Sequence, residues 1–136
     1  MVDASVAAKW FVTEIHSDTA LTLIDGRNEL YAPDFLSLEM DSVFCKWIRR
    51  GTIQSAEAAR TRSAFRSTPI QYVASARLQD AAYDLANQTQ RSLYDSLYVA
   101  AAVSLDIPLV TADRRLYDTL AASHLRQFVL WVEDIP

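Results

Sequence analysis

From Leu93 to Leu116 the chain reads LYDSLYVAAAVSLDIPLVTADRRL, and three patterns follow one another along it. Leu93 to Leu105 carries apolar and small residues at helical spacing, and Ala100, Ala101 and Ala102 allow close approach to a sheet. Ile107 to Thr111 is a continuous apolar run of strand length, typical of parallel strands covered on both faces. Arg114 opens a second helical pattern that extends to Ala122. A helix, a buried strand and another helix in quick succession mark an alternating α/β chain. One charge sits oddly in this stretch: Asp95, near the start of an otherwise apolar helix.

Outward from this stretch the alternation continues. Phe128 to Val132 is a second buried strand, and Leu30 to Ala32, stopped by Pro33, and Ile70 to Ala74 are two more. Helical spacing covers Ser17 to Asp25, Phe35 to Arg50, Ile53 to Ser67 and Ser75 to Gln88, and Gly26 and Gly51 fall where helices end. Only Met1 and Val2 precede Asp3, so a first strand there is short. The expected fold is α/β: a three-layer α/β/α sandwich around a central, mostly parallel sheet of four to five strands. With 136 residues, 51% of them hydrophobic, residues 1–136 have the size of one domain. In the Asp95 helix, Leu93, Leu97 and Ala101, with Tyr94, Tyr98 and Leu105 alongside, form the expected packing stripe. Trp10, Phe11, Trp47 and Trp131 are expected in the core or a dimer contact, and Cys45 as a buried small hydrophobe.

Composition excludes several classes. The net charge of −4, from 13 basic and 17 acidic residues, rules out bulk positive charge as the means of holding nucleic acid. Cys45 is the single cysteine, so there is no internal disulfide or cysteine zinc cluster, and a reducing, cytoplasmic setting is expected. No apolar run reaches the ~20 residues of a membrane helix, and no signal peptide is visible. His16 and His124 are isolated, with no second ligand at helical spacing.

The acids are more telling. Asp3 and Asp113 each follow an apolar segment and precede a helix, Glu39 lies about one turn into the helix after Pro33, and Asp95 lies in the first turn of its own. Singly, each is best explained locally: Asp3 and Asp113 as N-caps, Ser92 with Asp95 as a capping box, Glu39 through the helix dipole. Jointly they are not. A parallel sheet sets all strand carboxyl ends, and the helix N-termini that follow them, along one edge. Two carboxylates ~4 Å apart repel by about 4 kcal/mol at an effective dielectric of 20, whereas a first-turn dipole contact returns about 0.3 to 1 kcal/mol. Such a group must take up protons, spread apart in solvent or bind cations, and oxygen ligands without histidine or thiolate select magnesium or manganese.

Four segments in order then carry a resemblance: Val2-Asp3-Ala4-Ser5; Pro33 followed by Glu39 in a helix; Tyr94-Asp95-Ser96-Leu97-Tyr98-Val99-Ala100; and Val110-Thr111-Ala112-Asp113-Arg114-Arg115-Leu116. The set resembles the PIN-domain family, and within it the VapC-type toxins of bacterial toxin–antitoxin pairs. Where many members carry an asparagine three residues after the glutamate, this chain has Ser42. The resemblance implies a metal-dependent endoribonuclease, usually a homodimer, held inactive by a VapB-like antitoxin. Residue by residue, Asp3, Glu39, Asp95 and Asp113 match the acidic quartet, expected to hold one or two Mg2+ or Mn2+ ions, and Ser5 and Thr111 match hydroxyls beside the metals.

An RNA substrate is compatible with the charge. Setting the four site acids aside from the 17 leaves 13, equal to the 13 basic residues, so arginines are free to form a local patch. Arg91 and Arg114, beside the acidic edge in sequence, are the expected phosphate contacts, together with Ser5 and Thr111 at the substrate. The Arg60, Arg62 and Arg66 group is better explained as a solvated helical face, and Asp34, Asp41, Asp106 and Asp118 as caps or solvated positions. A receiver domain would need an acidic pair after the first strand and a lysine near the last, but the lysines are Lys9 and Lys46. A haloacid-dehalogenase-type phosphatase would need an aspartate where Ser5 stands. The remaining alternative is a catalytically inactive PIN-like module that binds RNA or a protein.

Overall fold

The structure, a computed structural model, describes residues 1–136. Strand β1 (Leu30–Pro33) pairs in parallel with β2 (Ile70–Val73), and β3 (Leu109–Thr111) pairs in parallel with β4 (Val129–Trp131). The two pairs are joined by the first residues of the chain. Val2 bridges Val110 in parallel, the Val110 amide donates to the Met1 carbonyl at 2.8 Å, and the Val2 amide donates to the Tyr31 carbonyl at 3.0 Å. The order across the sheet is therefore β2, β1, Met1–Asp3, β3, β4. The expected parallel sheet is present, with a central strand so short that only a single bridge marks it.

The helices are α1 (Ala4–Ala7), α2 (Ser17–Leu21), α3 (Leu36–Arg49), α4 (Ser55–Ser67), α5 (Gln79–Thr89), α6 (Leu93–Leu105) and α7 (Arg114–Ala121). Short 3-10 turns replace the ends of two expected helices, at Thr22–Ile24 and Ser75–Arg77. Helix α6 lies across β1 and β3 with α5 along it, and α7 packs on β3 and β4, giving the three-layer arrangement. Gly26 and Gly51 both take positive φ, at 90° and 70°, the left-handed conformation that closes a helical segment at low cost.

The centre of α6 is buried from Ser96 through Ala102. Its ends are not. Leu93, Tyr94 and Leu105 are exposed, which corrects the expected stripe at both ends while Leu97, Tyr98 and Ala101 keep it. The cause is length. A helix of 13 residues runs about 20 Å, and a strand of four residues about 13 Å, so α6 overhangs the sheet at each end. Cys45 is likewise exposed rather than buried, in a shallow groove between α3 and α4. Asp41 is partly exposed and also paired: Arg62 binds it through Nε at 2.6 Å and Nη2 at 2.8 Å, pinning α4 to α3, and Arg66 adds a longer contact. Trp10, Trp47 and Trp131 are buried, as expected.

Candidate active site

Asp3, Glu39, Asp95 and Asp113 line one cavity of about 170 Å3, together with Ala4, Ser5, Tyr98 and Leu116. Each acid arrives from a different element, because each helix N-terminus beyond the strand ends points at the same edge. A larger concavity of about 370 Å3 lies at the opposite, amino ends of the strands, lined mostly by apolar residues such as Met1, Leu30 and Ile135. The concentration of ionisable groups is at the smaller one.

Asp3 is the most constrained of the four. It is buried, its Oδ1 accepts from the Val6 amide at 3.0 Å as the α1 cap, and Ser5 Oγ donates to the same oxygen at 2.5 Å. Thr111 Oγ1 donates to Oδ2 at 2.5 Å. Both hydroxyls also accept, Ser5 from the Ala112 amide at 2.9 Å and Thr111 from the Asp113 amide at 3.0 Å, so they lock the end of β3 to the start of α1. Burial raises the Asp3 pKa; its three donors oppose that, and the Asp113 charge adds to it. Thr111 is fully buried, and its hydroxyl hydrogen is directed at Asp3. Both hydroxyls support the carboxylate; Ser5 also lines the cavity, whereas buried Thr111 does not.

Glu39, in the first turn of α3, is held by Tyr98, whose hydroxyl donates to Oε2 at 2.5 Å. Burial raises the Glu39 pKa, the Tyr98 bond opposes it, and the charges of Asp3 and Asp95 add to it. Tyr98 is itself pushed far above its ordinary range by burial and then by Glu39, so it stays a proton donor. Sequence patterning places Tyr98 in the packing stripe, with base stacking as the less favoured reading. Its position three residues after Asp95, on the same helical face, was the available signal for a polar role.

Asp113 Oδ1 caps α7, accepting from the Arg115 and Leu116 amides at 2.8 and 3.1 Å. In the first turn of α6, Ser92 accepts from the Asp95 amide at 3.0 Å, half of the expected capping box. The outer oxygens of Asp95 and Asp113 have a partner absent from the expected picture of bare carboxylates. Arg91 Nη2 lies 3.0 Å from Asp95 Oδ2 and 3.6 Å from Asp113 Oδ2, so an internal guanidinium offsets part of the crowding. Arg91, expected at phosphate, is here engaged with two acids of the cavity. Arg114 does not line the cavity: its guanidinium lies 3.9 Å from the Trp131 ring centroid, and 3.8 Å from Asp118. His16 contacts Glu133 and the Trp131 ring, away from the acids.

The donor set suits a hard divalent ion, with carboxylate oxygens only and hydroxyls behind the most buried ligand. As the side chains stand, no three acidic, histidine or cysteine side chains are spaced to hold one ion together. Each carboxylate keeps acceptor capacity, and Asp95 Oδ1 and Glu39 Oε1 carry no hydrogen bond within the protein.

The sheet order, the helix layers and the four acids at one edge define a class, and comparison agrees. A model of the PIN domain matches residues 1–121, and the chain belongs to that family. It is 30% identical over 126 residues to Ribonuclease VapC3 of Pyrobaculum aerophilum, covering 90% of this chain and 95% of that protein. The crystal structure of PAE2754 from Pyrobaculum aerophilum matches with a TM-score of 0.73 at 24% identity, over 97% of this chain and 82% of that one, a likeness of fold.

Proposed function

We propose that the protein is a divalent-metal-dependent endoribonuclease of the VapC type, the toxin half of a toxin–antitoxin pair acting on RNA in the cytoplasm. The observation that carries this is the meeting of Asp3, Glu39, Asp95 and Asp113 in one cavity at the carboxyl edge of a PIN sheet. The VapC relative, matched over nearly its whole length, supports the choice of RNA as substrate.

Asp3, Asp95 and Asp113 would hold Mg2+ or Mn2+, with Glu39 completing a second position or orienting water. When bound, such an ion supplies charge stabilisation at the phosphoryl oxygens and lowers the pKa of water at neutral pH. The chain supplies the rest. Ser5 and Thr111 fix both oxygens of Asp3, so this carboxylate needs no reorganisation when cationic charge arrives. Tyr98 fixes Oε2 of Glu39 and leaves Oε1 toward the cavity, where a carboxylate of raised proton affinity can orient water and accept its proton.

Purified protein should cleave single-stranded RNA when Mn2+ is added, and Asp3→Asn and Asp95→Asn should each abolish cleavage while the circular dichroism stays that of a folded chain. Undiminished cleavage in both variants contradicts the proposal. An inactive binding module would instead shift RNA on a gel without shortening it. An antitoxin segment carrying arginine or lysine suits the acidic cavity, and a homodimer is proposed from family membership. Copurification with a small partner that suppresses cleavage tests the first, and sedimentation equilibrium the second.

A further inference from the structure

Arg91 is the group that the acidic centre does not account for. It lies in the turn between α5 and α6, after Gln90 in the left-handed conformation at φ 56°. One nitrogen, Nη2, serves both Asp95 and Asp113, while its Nε is buried and without a hydrogen-bond partner. A guanidinium placed only for stability would be expected to satisfy its donors. This one leaves a donor unsatisfied and spends its charge on two acids of the cavity.

We infer that Arg91 is a built-in counter-cation, which holds Asp95 and Asp113 when no divalent ion is bound and competes with the ion for them. The inference rests on the metal-dependent proposal above. Three observations favour competition over simple scaffolding. The contacts are to Oδ2 of both acids, so the guanidinium takes ligand oxygens directly. In this arrangement no three acids are spaced for one ion, so Asp95 or Asp113 must leave its present position for an ion to seat. A positive charge hydrogen-bonded to Asp95 at 3.0 Å and ion-paired with Asp113 at 3.6 Å also repels an arriving dication over the same short range. The device keeps the metal-free protein folded against carboxylate repulsion, and it sets the ion concentration at which the centre assembles.

The test is Mn2+ affinity, measured by calorimetry on the metal-free full chain. Arg91→Gln should bind Mn2+ about tenfold or more tightly than wild type, and its metal-free form should melt at a lower temperature. Arg91→Lys, which keeps the charge, should stay near the wild-type affinity. A purely structural arginine would lower the melting temperature in Arg91→Gln and leave Mn2+ affinity unchanged or weaker, which overturns the inference, as does tightening in Arg91→Lys equal to that in Arg91→Gln. Should Arg91→Gln not fold, the wild-type Arg91 Nε–H signal in NMR serves: its exchange with water should accelerate on saturation with Mg2+, and unchanged exchange overturns the inference. Wild-type RNA cleavage is assayed in parallel. Absence of cleavage counts against the nuclease proposal alone, because the Arg91 comparison reads ion affinity and not turnover.

Discussion

Glu39 concentrates the conflict between folding and function in one side chain. It is a partly buried carboxylate beside two others, and its single partner is the Tyr98 hydroxyl. Glutamine can keep that bond through its carbonyl and removes the charge. Glu39→Gln should therefore stabilise the protein at pH 7 by roughly 0.5–2 kcal/mol while abolishing cleavage. The sign with pH follows from the raised folded-state pKa. The folded protein holds more protons at Glu39 than the unfolded chain above pH 4.5, so wild-type stability falls as pH rises through that window, and the advantage of glutamine grows with it. Urea denaturation of both proteins at pH 4 and pH 7 measures this; equal midpoints at pH 7 would contradict it. Thr111 is the opposite case. Thr111→Val removes a donor to buried Asp3 and the acceptor for the Asp113 amide, and should cost about 1–3 kcal/mol.

Much of this scale was legible in the sequence. The four acids stood out because each marked a helix start, where local and joint explanations could be compared. Arg91 and Asp95 are spaced at i and i+4, a visible pairing signal, but the third member, Asp113, comes from another helix and needed the tertiary structure. The Thr111 and Ser5 hydroxyls were visible as residues of the site but not as props for Asp3, because their direction depends on which oxygen is nearest.

At the scale of elements, α6 and α7 explain both what was read correctly and what was not. The apolar spacing of α6 located its buried face but carried no information on the length of the strands beneath it, so Leu93, Tyr94 and Leu105 were assigned to packing although they overhang. The same overhang carries Asp95 to the cavity. Ala101 is fully buried where α6 lies against its neighbours, and Ala101→Leu should destabilise by roughly 1–3 kcal/mol through overpacking. In α7, Asp113 has two duties that substitution separates. Asparagine caps a helix about as well as aspartate, so Asp113→Asn should hold the cap and lose activity, whereas Asp113→Ala should also lose about 0.5–2 kcal/mol of stability. Thermal melts of the two variants, run beside the RNA assay, distinguish cap from ligand; equal loss of stability in both would show that the charge, not the cap, stabilises α7.

For the whole molecule, five parallel segments in the order β2, β1, Met1–Asp3, β3, β4 place Asp3 at the centre of the carboxyl edge, with Asp113 following the neighbouring strand and Glu39 following β1. Alternation of strand and helix made this architecture readable, since parallel connections leave few topologies. The chain then spends its surplus of acidic residues at one rim and balances it in part with a single internal arginine. No helix is long and apolar enough to cross a membrane. The account as a whole stands on divalent ions seating among these carboxylates. Crystals soaked in Mn2+ and measured for anomalous scattering test that directly. The prediction is a peak bounded by Asp3, Asp95 and Asp113, with Glu39 in reach and Arg91 withdrawn from both aspartates; an empty cavity at saturating Mn2+, with Arg91 still between Asp95 and Asp113, would contradict it.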